Sequence, residues 1–312
     1  MNRILVIRGG AIGDFILTLP ALKGLRDAYP DAHIEILGYK HIALLAENRF
    51  YAQAVRSIEY GALSSFFAKN SEPSAELANY FESFDLVISY LYDPDRIFES
   101  NLRRCGVDDL IQGPAHVNSH EHAARQLARP LEELGLFISD FAAKLYPSVD
   151  DRRVAGTFLG NCAKPIIALH PGSGSEKKNW PLENWVAFGS DLLRSEDFPG
   201  SLLIISGEAD EEQARRLQTV WRNDRVRFAK SLPLPQLAAC LEHAIFVGHD
   251  SGISHLAAAC GARCILLFGP TDPDVWAPGN GKVRVLRAAN GNTDSIGVAE
   301  VESAVAAALP TA

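Results

Sequence analysis

Polar residues follow a short apolar run in the second half of the chain. The run Ala244–Val247 predicts a strand, His249–His255 follows it after Gly248, and Leu256–Ala259 predicts a helix. Such a turn presents unpaired backbone N–H groups and the positive end of a helix dipole, where a phosphate can bind without a metal. Asp250 would cap the helix or face a sugar hydroxyl. The alternative is an ordinary turn with a capping aspartate and a buried histidine.

A second polar turn lies near the start of the chain. The run Ile4–Ile7 predicts a strand, Arg8–Asp14 follows it, and Phe15–Tyr29 predicts a helix. The glycines of this turn do not have the G-x-G-x-x-G spacing of a dinucleotide site, and an aspartate there would repel a pyrophosphate. Asp14 is better suited to accept a proton at the mouth of a cleft. The alternative is a capping carboxylate worth about 1 kcal/mol.

A third motif has the composition of an anion-binding loop. A predicted strand ends at His170, a loop of glycine and serine follows, and Lys177 and Lys178 precede Pro181, which opens a helix. Ser173 can donate a hydrogen bond and a lysine can neutralise charge, although the loop is not a Walker A sequence. The alternative is a solvated loop.

Acidic residues follow the predicted strand Ser201–Ser206. A carboxylate at the end of a parallel strand can accept hydrogen bonds from ribose hydroxyls. Acidic residues are also favoured at the start of any helix by its dipole, which is the alternative for Glu208, Asp210 and Glu211. Glu208 comes first after the strand and is the best candidate.

Strand-like and helix-like segments alternate in both halves of the chain, which predicts α/β domains with parallel sheets. The alternation weakens near Tyr146–Asn161, so we expect a linker or a short extension there and two domains, 1–150 and 151–312. Ligands of open α/β sheets bind at the carboxyl edge. We therefore expect the Asp14 turn and the Asp250 turn to face one cleft.

The composition of the chain disfavours several classes of protein. The 312 residues are 47% hydrophobic with a net charge of −8, which is typical of a globular protein and disfavours a nucleic-acid partner. The initial apolar run is too short for a signal peptide, and no stretch reaches the length of a membrane span. We expect a cytoplasmic protein, with peripheral contact with the inner membrane left open. The five cysteines form no C-x-x-C pair and are expected to be structural thiols, with Cys260 and Cys264 as small buried residues and no metal site.

Together, the motifs resemble glycosyltransferase family 9, the family of the ADP-heptose:lipopolysaccharide heptosyltransferases. The matching residues occur in both halves and in the family's order. They are Ile12-Gly13-Asp14 with Pro20 and Leu22, His170-Pro-Gly-Ser173 with Lys178-Asn-Trp-Pro181, Asp250-Ser-Gly-Ile-Ser-His255, and Leu267-Phe-Gly-Pro-Thr271 with Trp276 and Pro278.

The resemblance implies a GT-B architecture of two Rossmann-like domains, the first binding the acceptor and the second the nucleotide sugar. It implies an inverting, metal-independent transfer that needs no cofactor. The donor would be ADP-heptose and the acceptor the lipopolysaccharide core or another glycan, free or lipid-linked.

The resemblance also assigns roles to individual residues. Asp14 matches the general base, with Gly13 beside it on the acceptor side. Gly174 stands where some relatives have a second hydroxyl, and Ser251 replaces a more usual threonine. The positions that match donor contacts are Ser173, Gly174 and Lys178 for the diphosphate, Glu208 for the ribose, and Asp250, Ser251, Gly252 and His255 for the donor-binding turn.

Other functions stay open at this point. A related enzyme could use another nucleotide sugar, or hydrolyse or epimerise it, and a non-catalytic protein could bind the donor without needing Asp14. A nicotinamide oxidoreductase is disfavoured by the missing glycine fingerprint. Asp93-Pro94-Asp95 has the letters of a metal-binding D-x-D pair, but it precedes a predicted helix and is expected to cap it.

Overall fold

The computed structural model describes residues 1–69, 71–207 and 210–309. The chain divides into two compact units, Met1–Phe141 and Ala142–Ala312. This division comes before the boundary expected at residue 150. In each unit, the described residues form a parallel sheet with helices connecting its strands.

In the first unit the strand order is β3-β2-β1-β4-β5, and all pairs are parallel. The chain therefore runs outward from β1 in one direction and then returns to β4 on its other side, which is the switch point of a Rossmann-like sheet. Two 3₁₀ segments, Gly61–Phe67 and Arg129–Leu134, complete the unit. Its elements are β1 Arg3–Arg8, α1 Ile12–Ala28, β2 His33–Gly38, α2 Lys40–Ala43, β3 Ala54–Ser57, α3 Ala75–Glu82, β4 Leu86–Ser89, α4 Ile97–Arg104, β5 Leu110–Gln112 and α5 Ala123–Ala128.

In the second unit the strand order is β11-β10-β9-β6-β7-β8, again with parallel pairs. Its switch point lies between β6 and β9. Two 3₁₀ segments are Glu176–Lys178 and Thr293–Ser295. The elements are α6 Val149–Leu159, β6 Ile166–Leu169, α7 Leu182–Arg194, β7 Ser201–Ser206, α8 Glu211–Val220, β8 Val226–Lys230, α9 Leu234–Leu241, β9 Ile245–His249, α10 Gly252–Ala259, β10 Arg263–Phe268, α11 Pro273–Trp276, β11 Val283–Arg287 and α12 Val298–Ala308.

The central strands are aliphatic and buried, as expected for sheets covered on both faces. Every residue of β6 and β7 is buried, and so are all residues of β1 after Arg3. Trp180, Trp185 and Phe188 fill the second unit's core beside β6 and β9. These rigid strands fix the positions of the polar residues that follow them.

The expected linker at Tyr146–Asn161 is wrong, because α6 occupies most of it. Ser148 caps this helix by accepting a hydrogen bond from the N–H of Asp151 at 3.1 Å, and Asp151 accepts the N–H of Ser148 at 2.7 Å. The reciprocal pair is a capping box. Arg152 also forms two hydrogen bonds, of 2.7 and 2.8 Å, to Glu242 of the same unit. The charged residues Asp150–Arg153 therefore start a helix of the second unit.

Other differences are smaller. The sequence pattern at Glu121–Leu136 predicts one long helix, but the structure has α5 followed by the 3₁₀ segment at Arg129, because Pro130 cannot continue the α-helical hydrogen bonds. Strands β5 and β11 were not predicted. No helix in the described parts of the chain is long and apolar enough to cross a membrane.

Candidate functional site

The candidate site of the second unit lies at the carboxyl ends of β6 and β9, which are neighbours in the sheet. Leu169 pairs with Val247, so the residues that follow these strands leave the sheet side by side. His170 follows β6, and Asp250 and Ser251 follow β9. The sheet thus places two of the polar motifs predicted in this half of the chain on neighbouring strands, and β7, on the other side of β6, carries the third.

The turn after β9 ends in a helix whose first N–H groups are unpaired. Ser251 is the N-cap of α10, and its Oγ accepts a hydrogen bond from the N–H of Ser254 at 3.4 Å. The N–H groups of Gly252 and Ile253 have no hydrogen-bond acceptor among the described residues. Two adjacent free N–H groups at a helix N-terminus are suited to bind an anion.

Asp250 is not the cap but the partner of a lysine. Its Oδ2 lies 2.6 Å from Nζ of Lys178, and the side chains of Asp250 and Lys178 are 8% and 29% exposed. The ion pair neutralises the carboxylate that would otherwise repel an anion beside α10. Because a lysine ammonium has three N–H donors, Lys178 can hold Asp250 and still offer a donor to a ligand.

His249 fastens the loop after β6 to the end of β9. Its ring is fully buried, Nε2 accepts the N–H of Trp180 at 2.7 Å, and Nδ1 lies 3.4 Å from the carbonyl oxygen of Gly172. Nε2 is therefore the acceptor and Nδ1 carries the proton. Burial lowers the pKa of His249 to about 3, with a further contribution from His170. This neutral histidine holds the loop in place and is expected to have no catalytic role.

The loop between His170 and Trp180 is stabilised by hydrogen bonds between its own polar groups. The hydroxyl of Ser173 lies 2.7 Å from both the carbonyl oxygen of Ser175 and Oδ1 of Asn179. Its single proton is thus shared between two acceptors within the loop. Gly174 is exposed, and a Cβ at this position would contact nothing within 4 Å.

The acidic segment after β7 contributes Asp210 to the site. Oδ1 of Asp210 accepts the N–H of Gly207 at 2.7 Å, and Oδ2 lies 3.3 Å from Nε2 of His170. The predicted ribose ligand, Glu208, lies outside the described residues. His255 is buried on α10, four residues after the N-cap. Asp210 and His170 are the residues whose pairing the sequence did not predict, although a polar residue directly after a buried strand is a usable signal.

The turn of the first unit is built around Asp14. It is the third residue of α1, its Oδ2 accepts the N–H of Ala11 at 2.8 Å, and its side chain is 38% exposed. This bond is the part of a capping box that the carboxylate supplies. Gly10 has a φ of 92°, and a Cβ there would lie 2.8 Å from Oδ2 of Asp14. Gly13 is the second residue of the helix.

A buried arginine lies beneath this carboxylate. Nη2 of Arg8 donates to the main-chain oxygen of Asp14 at 3.2 Å and lies 3.6 Å from its Oδ1, while Nε donates to Thr18 at 3.0 Å. The guanidinium also lies over the ring of Tyr90. Burial lowers the pKa of Arg8, and the neighbouring Asp14 opposes that shift. The arrangement fixes an accessible carboxylate at the carboxyl end of β1.

The remaining candidates have structural roles. Asp93 accepts hydrogen bonds from three N–H groups of α4, at 2.8 to 3.1 Å, which confirms that it caps the helix. All five cysteines are free thiols, and burial raises the pKa of Cys240 and Cys264 to about 12. Within residues 1–69, 71–207 and 210–309, no three His, Cys, Asp or Glu side chains are placed to hold a metal ion.

Comparison with known proteins identifies the family. The sequence model of glycosyltransferase family 9 (heptosyltransferase) matches residues 112–305. Lipopolysaccharide heptosyltransferase 3 of Escherichia coli is 24% identical, covering 85% of this chain and 83% of the relative.

Solved structures share the fold over 98% of the chain. The family 9 glycosyl transferase of Veillonella parvula has a TM-score of 0.79 at 20% identity, with 96% of that chain covered. E. coli heptosyltransferase WaaC with ADP has a TM-score of 0.72 at 20% identity, with all of that chain covered. The predicted α/β fold of the GT-B class is thereby confirmed. With its family model matching more than half of its length, the chain belongs to glycosyltransferase family 9 and is a glycosyltransferase.

Proposed function

We propose that this glycosyltransferase transfers a heptose from ADP-heptose to a glycan acceptor of lipopolysaccharide biosynthesis, with inversion and without a metal. The observation that carries the donor half is the free N-terminus of α10 beside the Lys178–Asp250 pair. A nucleoside diphosphate needs both hydrogen-bond donors and positive charge. The names of the relatives, which are lipopolysaccharide heptosyltransferases, and the ADP in the WaaC structure support the choice of donor and acceptor.

In the proposed reaction Asp14 accepts the proton of an acceptor hydroxyl. The freed oxygen forms a bond to the anomeric carbon of the donor while the bond from that carbon to the diphosphate breaks, and ADP leaves with the electron pair. A single displacement inverts the configuration. Lys178 and the N–H groups of Gly252 and Ile253 would stabilise the charge that develops on the diphosphate. Asp14 is suited to its role because it is accessible and held by Arg8 and Ala11.

Donor screening tests this proposal. The purified protein is incubated with ADP-heptose, UDP-sugars and GDP-sugars and a heptose-deficient lipopolysaccharide core, and nucleoside diphosphate release is measured. We expect acceptor-dependent release of ADP from ADP-heptose, and NMR of the product should show the anomeric configuration opposite to that of the donor. Release without acceptor would indicate a hydrolase. Donor binding without turnover, unaffected by loss of Asp14, would indicate a binding protein.

A further inference from the structure

Three side chains form a chain of contacts from α8 through the end of β6 to the N-cap of α10. Asp210 and His170 are almost completely buried, with side chains 5% and 7% exposed, and Oδ2 of Asp210 lies 3.3 Å from Nε2 of His170. Nδ1 of the same ring lies 3.3 Å from Oγ of Ser251. A Cβ at Gly172 would lie 2.2 Å from Cβ of Asp210, so this loop is shaped to fit around the aspartate.

The proton positions follow from the chemistry of the groups. Burial raises the pKa of Asp210, but the His170 ring and the N–H of Gly207 outweigh it and leave the pKa below its usual value. Oδ2 of Asp210 is buried without a hydrogen bond of good geometry among the described residues, and Nε2 of His170 lies 3.3 Å from it. Because a carboxylate can only accept, the proton of His170 belongs on Nε2. In the neutral ring Nδ1 is then an acceptor, and the hydroxyl of Ser251 can donate to it at 3.3 Å. Oγ of Ser254, 3.2 Å from Oγ of Ser251, is the competing acceptor, because the Ser254 hydroxyl itself donates to the carbonyl oxygen of His249.

We propose that His170, oriented by Asp210, is a positioning residue. Its Nδ1 accepts the hydroxyl proton of Ser251, so that this proton points towards the protein interior and away from the anion site. Oγ of Ser251 then keeps its lone pairs for the N–H of Ser254, which fixes the cap of α10. An anionic ligand meets the N–H groups of Gly252 and Ile253, and the Ser251 hydroxyl is not one of its contacts. The nature of that ligand, a nucleoside diphosphate, rests on the proposed function.

The proton arrangement can be tested without any ligand. Nitrogen NMR of protein labelled at histidine distinguishes the two neutral tautomers. The signals of His170 are assigned as those that disappear when His170 is substituted. We expect the proton of His170 on Nε2. In Asp210→Asn, Oδ1 would keep the N–H of Gly207 and the amide nitrogen would face His170, so the proton should move to Nδ1. A wild-type ring protonated on Nδ1, or a tautomer indifferent to Asp210→Asn, would overturn the proposal.

Two substitutions of His170 separate its two contacts. Glutamine can reach Asp210 from the Nε2 position but removes the Nδ1 acceptor and leaves the Ser251 hydroxyl only Oγ of Ser254. Asparagine can place an oxygen near the Nδ1 position and loses Asp210. Titration calorimetry with ADP should show His170→Gln and Ser251→Ala each weakening binding by about 2- to 10-fold, the worth of one hydrogen bond. The double variant should be no weaker than either single one, because both remove the same contact. His170→Asn should bind ADP nearly as the wild type does, while its melting temperature falls.

Two results of the titration would contradict this role. If Ser251→Ala weakens binding and His170→Gln does not, the Ser251 hydroxyl contacts the diphosphate directly. If glutamine and asparagine at position 170 weaken binding equally, the histidine acts only through general stability. A wild-type protein that binds neither ADP nor other nucleoside diphosphates would instead refute the proposed function, and the NMR result would still decide the role of His170.

Discussion

The turns after β1 and after β9 each border the switch point of their own Rossmann-like sheet but differ in charge. After β1, the first turn of α1 contains Asp14, which uses an N–H of that turn and exposes the rest of its carboxylate. After β9, the cap of α10 is a neutral serine, and the nearby Asp250 is neutralised by Lys178. In the proposed function, the same strand–turn–helix frame therefore serves proton transfer in one unit and anion binding in the other.

The difference depends on which position of the helix start carries the acid. A carboxylate at the third helical residue competes with any anion for the N–H groups, as Asp14 does. A carboxylate before the cap leaves those groups free, and a lysine from another loop can neutralise it. The helix dipole is present in both cases and cannot by itself predict what binds.

The largest effect is expected from Asp14→Asn. Asparagine can still accept the N–H of Ala11 and keeps the main-chain oxygen to which Arg8 donates, so α1 should stay folded. Only a small fall in melting temperature is expected from the charge lost beside the buried Arg8. An amide cannot take up the acceptor's proton, so turnover should fall about 10²- to 10⁴-fold. Steady-state rates of ADP release, with ADP affinity measured beside them, make the test. Asp27→Asn is a matched control, because Asp27 lies on the same helix in an exposed pair with Lys23. Near-normal turnover of Asp14→Asn would make this carboxylate a structural cap.

Lys178→Ala should produce the next largest effect, on donor affinity. The substitution removes a charged donor and leaves Asp250, 8% exposed, without its partner beside the anion. Loss of a charge-assisted hydrogen bond of about 1.5–3 kcal/mol corresponds to about 10- to 150-fold weaker ADP binding in calorimetry. Lys177→Ala is the control from the same 3₁₀ segment, where Lys177 is exposed.

A second substitution separates the two causes of that loss. If repulsion by the unpaired Asp250 contributes, Lys178→Ala with Asp250→Asn should bind ADP more tightly than Lys178→Ala alone. Equal affinity of the two variants would mean that only the direct contact of the lysine matters. Unchanged affinity in Lys178→Ala itself would remove this residue from the diphosphate site.

The sequence predicts the strands and turns but not the partners within the site. Aliphatic runs place His170 and Asp250 at strand ends, because a buried parallel strand must be apolar until it leaves the sheet. Aspartate and serine are both good N-caps, so propensity cannot choose between Asp250 and Ser251. The ion pair with Lys178, 72 residues away in the sequence, holds Asp250 and leaves Ser251 as the N-cap. The pairing of Asp210 with His170 is equally non-local.

Local signals were also missed where they conflicted. The charged run at 150–153 is typical of a linker, yet Ser148 and Asp151 have the spacing of a capping box, which is a local signal for a helix start. Strand β5 has three residues, too few to show a period. Strand β11, Val-Arg-Val-Leu-Arg, is a partly exposed edge strand and lacks the continuous apolar run of the inner strands.

A smaller effect should appear as acid sensitivity of the second unit. The folded-state pKa of His249 is about 3, below its usual value of 6.5. Between these two pH values His249 therefore binds a proton in the unfolded chain but not in the folded one. The contribution of this residue to the free energy of unfolding is complete above pH 6.5 and falls as the pH drops, by at most about 1.4 kcal/mol per pH unit. Denaturant melts from pH 7 to pH 5 of the wild type and His249→Gln test this. The difference in free energy of unfolding between the wild type and His249→Gln should shrink towards pH 5. A constant difference would contradict this role of His249.

The smallest effect is expected from removing divalent metal ions. In the second unit, the positive end of α10 and the ammonium of Lys178 lie where a metal-dependent enzyme would need free carboxylates, and Asp250 is already paired. Turnover with excess EDTA should therefore equal turnover with added Mg²⁺ or Mn²⁺. The Lys178→Ala variant sharpens the comparison, because it frees Asp250 as a potential ligand. If Mg²⁺ partly restores the weakened ADP binding of this variant while the wild type does not respond, the lysine replaces a metal ion in neutralising the diphosphate. Loss of wild-type turnover in EDTA, restored by either metal, would show that the anion site of this unit is incomplete without one.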